Sequence, residues 1–176
     1  MRWVAFICIL AALGSCKEEI AFIPGTGTLP DCDEAPIRDL DGTTWFNQGT
    51  VTIRTEGCLD LAPDDTRESC AENWAFTQDG NDIDIIVDEY RVNARFCGDQ
   101  LHLEGGWWLS VQDEQGACWY EDDDGDDMRI QAEGNVLTFV PAEDPAEDTM
   151  TGKLVLQGVC GVDYDATFGR VSEPSF

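Results

Sequence analysis

The sequence predicts an all-β protein: an antiparallel up-and-down β-barrel, or a barrel-like sandwich, of about eight to ten strands stapled by disulfides. Three observations predict it. Apolar and polar residues alternate with a period of two beyond residue 40, turn-forming residues recur at short intervals, and an even set of six cysteines runs from Cys32 to Cys160.

Val51 and Ile53 alternate with Thr50, Thr52 and Arg54, and Ile83, Ile85 and Val87 repeat the pattern. Leu101 and Leu103 flank His102, and Val162, Tyr164, Ala166 and Phe168 interleave with Asp163, Asp165 and Thr167. One face of such strands is buried and the other is wet, as in an antiparallel sheet. Turns are marked by Asp79-Gly80-Asn81, Gly98-Asp99, Gln115-Gly116, Asp124-Gly125, Gly134-Asn135 and Cys160-Gly161. Strands are therefore expected near residues 43 to 55, 73 to 78, 82 to 87, 90 to 97, 100 to 111, 117 to 121, 127 to 132, 135 to 140, 152 to 159 and 162 to 171. One short helix is expected around Asp64 to Glu72.

Ahead of the strands, Arg2 precedes an apolar run from Trp3 to Leu13, and Gly14-Ser15 precede Cys16. These fill the slots of an export signal, and the run is shorter than the roughly 20 residues a spanning helix needs. Leu13-Gly14-Ser15-Cys16 resembles the lipobox of bacterial lipoprotein precursors. The resemblance implies cleavage before Cys16 and acylation of that residue, with two or three chains at about 0.8 kcal/mol per buried CH₂ making release slow. It also implies sorting to the outer membrane, facing the periplasm or the cell surface, since Lys17 rather than Asp follows the cysteine. The alternative is an ordinary secretory signal. Residues 1–15 are thus expected as signal, 16–39 as a lipidated N-terminus and tether carrying Pro24, Gly25, Gly27, Pro30 and Pro36, and 40–176 as one β domain.

The formal charge of -26 includes Arg2, so the processed chain is near -27. That balance excludes nucleic acid as a partner, whose phosphates need Lys and Arg, and excludes electrostatic docking on anionic head groups. Lys17 and Lys153 are the only lysines. Of the eight cysteines, Cys8 leaves with the signal and Cys16 would be acylated, leaving Cys32, Cys58, Cys70, Cys97, Cys118 and Cys160. An even set in an exported chain reads as three disulfides. In an up-and-down arrangement Cys32 and Cys97 share one rim and the other four share the opposite rim. The pairing expected is Cys58 with Cys70, Cys118 with Cys160 and Cys32 with Cys97, one choice among 15. Zinc is not expected, because no Cys-x-x-Cys pair is present and His102 is the only histidine.

Gly42-Thr43-Thr44-Trp45 at the start of the first strand resembles the Gly-x-Trp opening of lipocalins, with the spacing displaced by one residue. That resemblance implies a lipocalin-like barrel binding a small hydrophobic ligand, with Arg170 stacked on Trp45. Trp107, Trp108 and Trp119 are further candidates to line such a site, although core packing is the commoner role of large aromatics. Adjacent residues face opposite sides of a strand, so Trp107 and Trp108 can share a face only if Gly105-Gly106 forms a bulge.

Glu121 to Asp127 is the densest acidic run, and it lacks the ligand spacing of a calcium loop, so calcium is not expected. No cofactor is expected. His102, between two apolar residues on the wet face, is accompanied by no nucleophile-elbow sequence, so catalysis is not expected either. The expectation is a non-catalytic envelope lipoprotein with a structural or interaction role, partnered by the membrane through its lipid and by an envelope protein. The alternative is a carrier of a small hydrophobic ligand.

Overall fold

The computed structural model describes residues 21–22, 27–55, 61–87, 90–112, 116, 118, 129–133, 135–156 and 161–171, with backbone alone at 21–22, 106–109, 129–133 and 156. Twelve strands occur among them: β1 (Ala21–Phe22), β2 (Thr44–Ile53), β3 (Thr66–Glu68), β4 (Glu72–Asp79), β5 (Asp82–Val87), β6 (Tyr90–Cys97), β7 (Gln100–Leu103), β8 (Gly105–Ser110), β9 (Arg129–Glu133), β10 (Val136–Val140), β11 (Thr149–Leu156) and β12 (Val162–Arg170).

Eight of these close a barrel. The hydrogen-bonded order is β2-β4-β5-β6-β7-β10-β11-β12, and β12 returns to β2 from Val162↔Ile53 through Arg170↔Trp45. Every ring pairing is antiparallel and follows chain order, which is the up-and-down arrangement that the short turns require. Gly80 and Gly98 take the positive φ of 64° and 60° in two tight turns at what we term the lower end.

The remaining strands extend the ring at the opposite, upper end. β3 prolongs β4 along β2, with Thr66↔Thr52 and Glu68↔Thr50. β8 and β9 prolong β7 and β10. Ser69 bridges Val111, the Cys70 N–H reaches the Ser110 carbonyl at 2.8 Å and the Gln112 N–H reaches that of Glu68 at 2.9 Å. β3 therefore meets the chain leaving β8 directly, above the β5–β6 hairpin. At the β10–β11 seam the Asn135 side chain substitutes for backbone, giving 3.1 Å to the Val155 carbonyl and accepting at 3.0 Å from its N–H.

Side chains follow the two-residue period. Trp45, Val51, Ile53, Trp74, Phe76, Ile83, Ile85, Val92, Phe96, Leu101, Leu137, Phe139, Leu154, Tyr164 and Phe168 are buried in one core. Thr52, Asp84, Arg91, Arg95, Lys153 and Asp163 point outward and are partly or fully exposed. An apolar interior and charged exterior are the inverse of a transmembrane barrel. No helix among the described residues is long and apolar enough to cross a membrane.

Three expectations are corrected. The helix expected around Asp64 to Glu72 is strand β3 instead, because Asp64 N–H and Asp65 carbonyl bond Ile53 at 2.9 Å each and commit the segment to β2. The one helical turn among the described residues is the 3₁₀ segment Pro145–Glu147, capped by Asp144. Cys70 bonds Cys118, not Cys58, because the Ser69–Val111 bridge brings those chain segments side by side. That also removes the pairing of Cys118 with Cys160; Cys58 and Cys160 themselves lie outside the described residues. Cys32 bonds Cys97 as expected.

The N-terminal segment, expected as a tether over 16–39, is pinned along its described part. β1 pairs in parallel with β6 at Tyr90 and Arg91, and the Gly27 N–H reaches the Glu104 carbonyl at 2.8 Å. Arg95 then reaches the Pro30 carbonyl at 2.9 Å, Cys32 bonds Cys97, and the Ile37 N–H reaches the Gly98 carbonyl at 3.0 Å. The segment thus descends along β6 to the lower end, where Leu40 is fully buried.

Candidate functional site

The barrel interior is the candidate site, and its lower half is built from aromatic rings. Trp45 enters from β2 because the odd positions of that strand face inward. Its ring meets Phe139 edge-on at 5.9 Å and Phe76 at 6.1 Å, and Phe96 meets Phe139 at 5.6 Å. Trp74 meets Phe168 edge-on at 4.7 Å. Such tilted pairs gain about 0.5–1.5 kcal/mol beyond the area they bury. The indole N–H of Trp45 donates to Thr43 Oγ1 at 2.8 Å, and that hydroxyl donates to the Leu40 carbonyl at 2.7 Å. Leu40 is fully buried at this end, and Trp45, a candidate ligand contact in the sequence, is occupied as core.

Arg170 stands directly opposite Trp45 in the β12–β2 register. Its guanidinium donates to the Pro145 carbonyl at 3.3 Å and lies 4.0 Å from Asp148. Asp148 is fully buried, accepts from the Ala142 N–H at 2.8 Å and pairs with Arg38 Nε at 3.0 Å. Arg170 is thereby part of a latch that joins the N-terminal segment, the β10–β11 loop and the end of β12.

Above the aromatic half lies a polar layer. Asn47, Ser69, Glu72 and Tyr164 are all buried, and Asn47 stands opposite Glu72 in the β2–β4 register. The Tyr164 hydroxyl donates to Asn47 Oδ1 at 2.6 Å, so at 3.1 Å the Ser69 hydroxyl is its donor. The Trp74 N–H faces Glu72 Oε2 at 3.4 Å. Burial, reinforced by the Glu72 charge and opposed by the Ser69 bond, raises the Tyr164 phenol above its ordinary value and keeps it a donor. Asn47 Nδ2, also buried, has no hydrogen-bond partner among the described residues. Its two amide hydrogens are left for an acceptor to satisfy.

No motif marks this layer in the sequence, yet it leaves a signal there. Asn47 and Glu72 occupy inward positions of strands whose other inward residues are mostly apolar. A polar residue in the apolar phase marks a buried hydrogen-bonding group.

The bulge needed for Trp107 and Trp108 to share a face is present: Gly105 pairs with Glu133 and Trp108 with Gln131, leaving one extra residue on β8. Gly105 has a φ of 95°, which a residue with a Cβ rarely adopts. The side chains of Trp107 and Trp108, and the whole of Trp119, Cys16 and the acidic run 121–127, lie outside the described residues.

His102 stands in register with Arg95 and Val136 on the outer face, where partial burial lowers its pKa. Among the described residues no three His, Cys, Asp or Glu side chains are placed to hold a metal ion.

Fold and interior together define a closed eight-stranded antiparallel barrel with a side-chain-filled lower half and a polar layer above it. No family model, no curated protein and no solved structure matches this chain.

Proposed function

We propose that the protein is a non-catalytic lipoprotein of the bacterial outer membrane, held by lipid on Cys16, whose barrel acts through its surface in a structural or interaction role. The observation that carries the surface reading is the filled interior. Trp45, Trp74, Phe76, Phe96, Phe139 and Phe168 take up the lower half of the barrel with almost no exposure, and Leu40 is fully buried at the lower end. Small barrels filled in this way present function on their outside, because cargo needs room that the rings already use. The lipobox-like Leu13-Gly14-Ser15-Cys16 supports the anchor.

A second reading, carriage of a small hydrophobic ligand with one polar group, has one observation in its favour: Asn47 Nδ2 in the upper interior, which has no hydrogen-bond partner among the described residues. Native mass spectrometry of the folded domain separates the two. The surface reading expects the bare polypeptide mass and a cross-linked envelope partner; a stoichiometric small molecule that Asn47→Leu expels would replace it with the carrier reading.

A further inference from the structure

We propose that the upper end of the barrel is apposed to the lipid bilayer and the lower end faces away from it. The inference rests on the anchor at Cys16 proposed above. Its new content comes from β1, which ties Ala21 and Phe22 to Tyr90 and Arg91 at the upper end of β6. Four residues, and so five Cα-to-Cα steps, separate Cys16 from Ala21, and a fully extended chain covers at most about 3.6 Å per step. The acylated residue is thus within about 18 Å of the upper end, whatever path residues 17–20 take. From β1 the chain descends, pinned at Gly27 to Glu104 and at Cys32 to Cys97, so the 24 residues that composition marks as a tether give the domain no corresponding reach.

The partner of the upper end is therefore a lipid surface, approached by proximity and not by attraction. The loop at that end carries Asp64 and Asp65, and the connection from β8 to β9, which contains Glu121 to Asp127, leaves from the same end. Charge alone would drive this end from anionic lipid. Only a short covalent tie holds it there. The opposite end then presents Ile37, Phe46, Val140 and Val171, all exposed, to whatever lies beyond the membrane.

Energy transfer to a head-group acceptor tests the orientation. The lipidated full chain carries a donor at Thr66→Cys, exposed on β3, or at Glu143→Cys, exposed in the lower loop, and is reconstituted in phosphatidylcholine vesicles. The two sites are separated by roughly the barrel height, about 25 Å for ten tilted residues. Transfer from position 66 should exceed that from 143 at least about twofold, and ten Gly and Ser residues inserted between Glu18 and Glu19 should erase the difference. Equal or reversed transfer in protein that incorporates a palmitate analogue overturns the orientation and leaves the anchor standing. Absence of both transfer and palmitate incorporation overturns the anchor, and the orientation with it.

Discussion

Asp148 shows how one side chain sets the cost of a substitution. It is fully buried, yet it serves the Ala142 N–H, the Arg38 guanidinium and, more distantly, Arg170. Removing one partner of such a group leaves polar atoms without counterparts in a poorly hydrated place. Asp148→Ala should lower stability by about 2–4 kcal/mol in urea titration, and should loosen Arg38 and Arg170 together. Asp163 acts through charge instead. Hydrogen bonds from Arg54, at 2.8 Å from Nε, and from Lys153, at 3.0 Å, hold its carboxyl below the usual range. The folded chain then binds fewer protons there than the unfolded chain, so the contribution is present above the ordinary value of about 3.9 and fades as pH falls through the folded one. The stability gap between wild type and Asp163→Asn should be wide at pH 6 and narrow at pH 3, as read from urea midpoints. Gly49 is constrained by sterics: a Cβ would stand 2.1 Å from the Asp165 carbonyl oxygen. Gly49→Ala should force β2 and β12 apart and cost at least about 3 kcal/mol, close to an overpacked core site.

At the scale of elements, alternation and turn residues made most of the ring legible. β5 and β6 fall at residues 82–87 and 90–97 as the pattern predicts, because each is a two-faced strand next to a short turn. The segment 64–72 was not legible. Its charges suit a helix start, and only its direct pairing with β2, which no local pattern marks, makes it β3. The same limit applies to the disulfides. Up-and-down topology sorts cysteines by end, and Cys32 with Cys97 follows from that; choosing among the cysteines of the upper end requires knowing that Ser69 bridges Val111. Peptide mapping without reduction should return the Cys32–Cys97 and Cys70–Cys118 pairs, and a Cys58–Cys70 peptide would contradict the β3 placement. Of the candidate site, the lipocalin resemblance led to Arg170 stacked on Trp45, and the two stand opposite in register while the Arg170 guanidinium turns to Pro145 and Asp148; the Asn47 and Tyr164 layer required the register of β2 with β12.

For the molecule as a whole, net charge dominates. The cations Arg38, Arg54, Arg91, Arg95, Arg170 and Lys153 each lie against a carboxylate, so most of the -26 charge is left to repel itself across the surface. Salt screens that repulsion. Raising sodium chloride from 10 mM to 0.5 M should increase the melting temperature by about 3 °C or more, equivalent to ~1 kcal/mol. A flat response would mean the charges are already neutralised by bound cations. The central claim, a lipid-held barrel with its interior filled by its own side chains, is tested most directly by the intact native mass of the protein extracted from membranes in mild detergent. The expected mass is that of a chain that starts at Cys16, carries two or three acyl chains, lacks six thiol hydrogens and holds no small molecule. An unacylated chain, or one bearing a stoichiometric ligand, would contradict it.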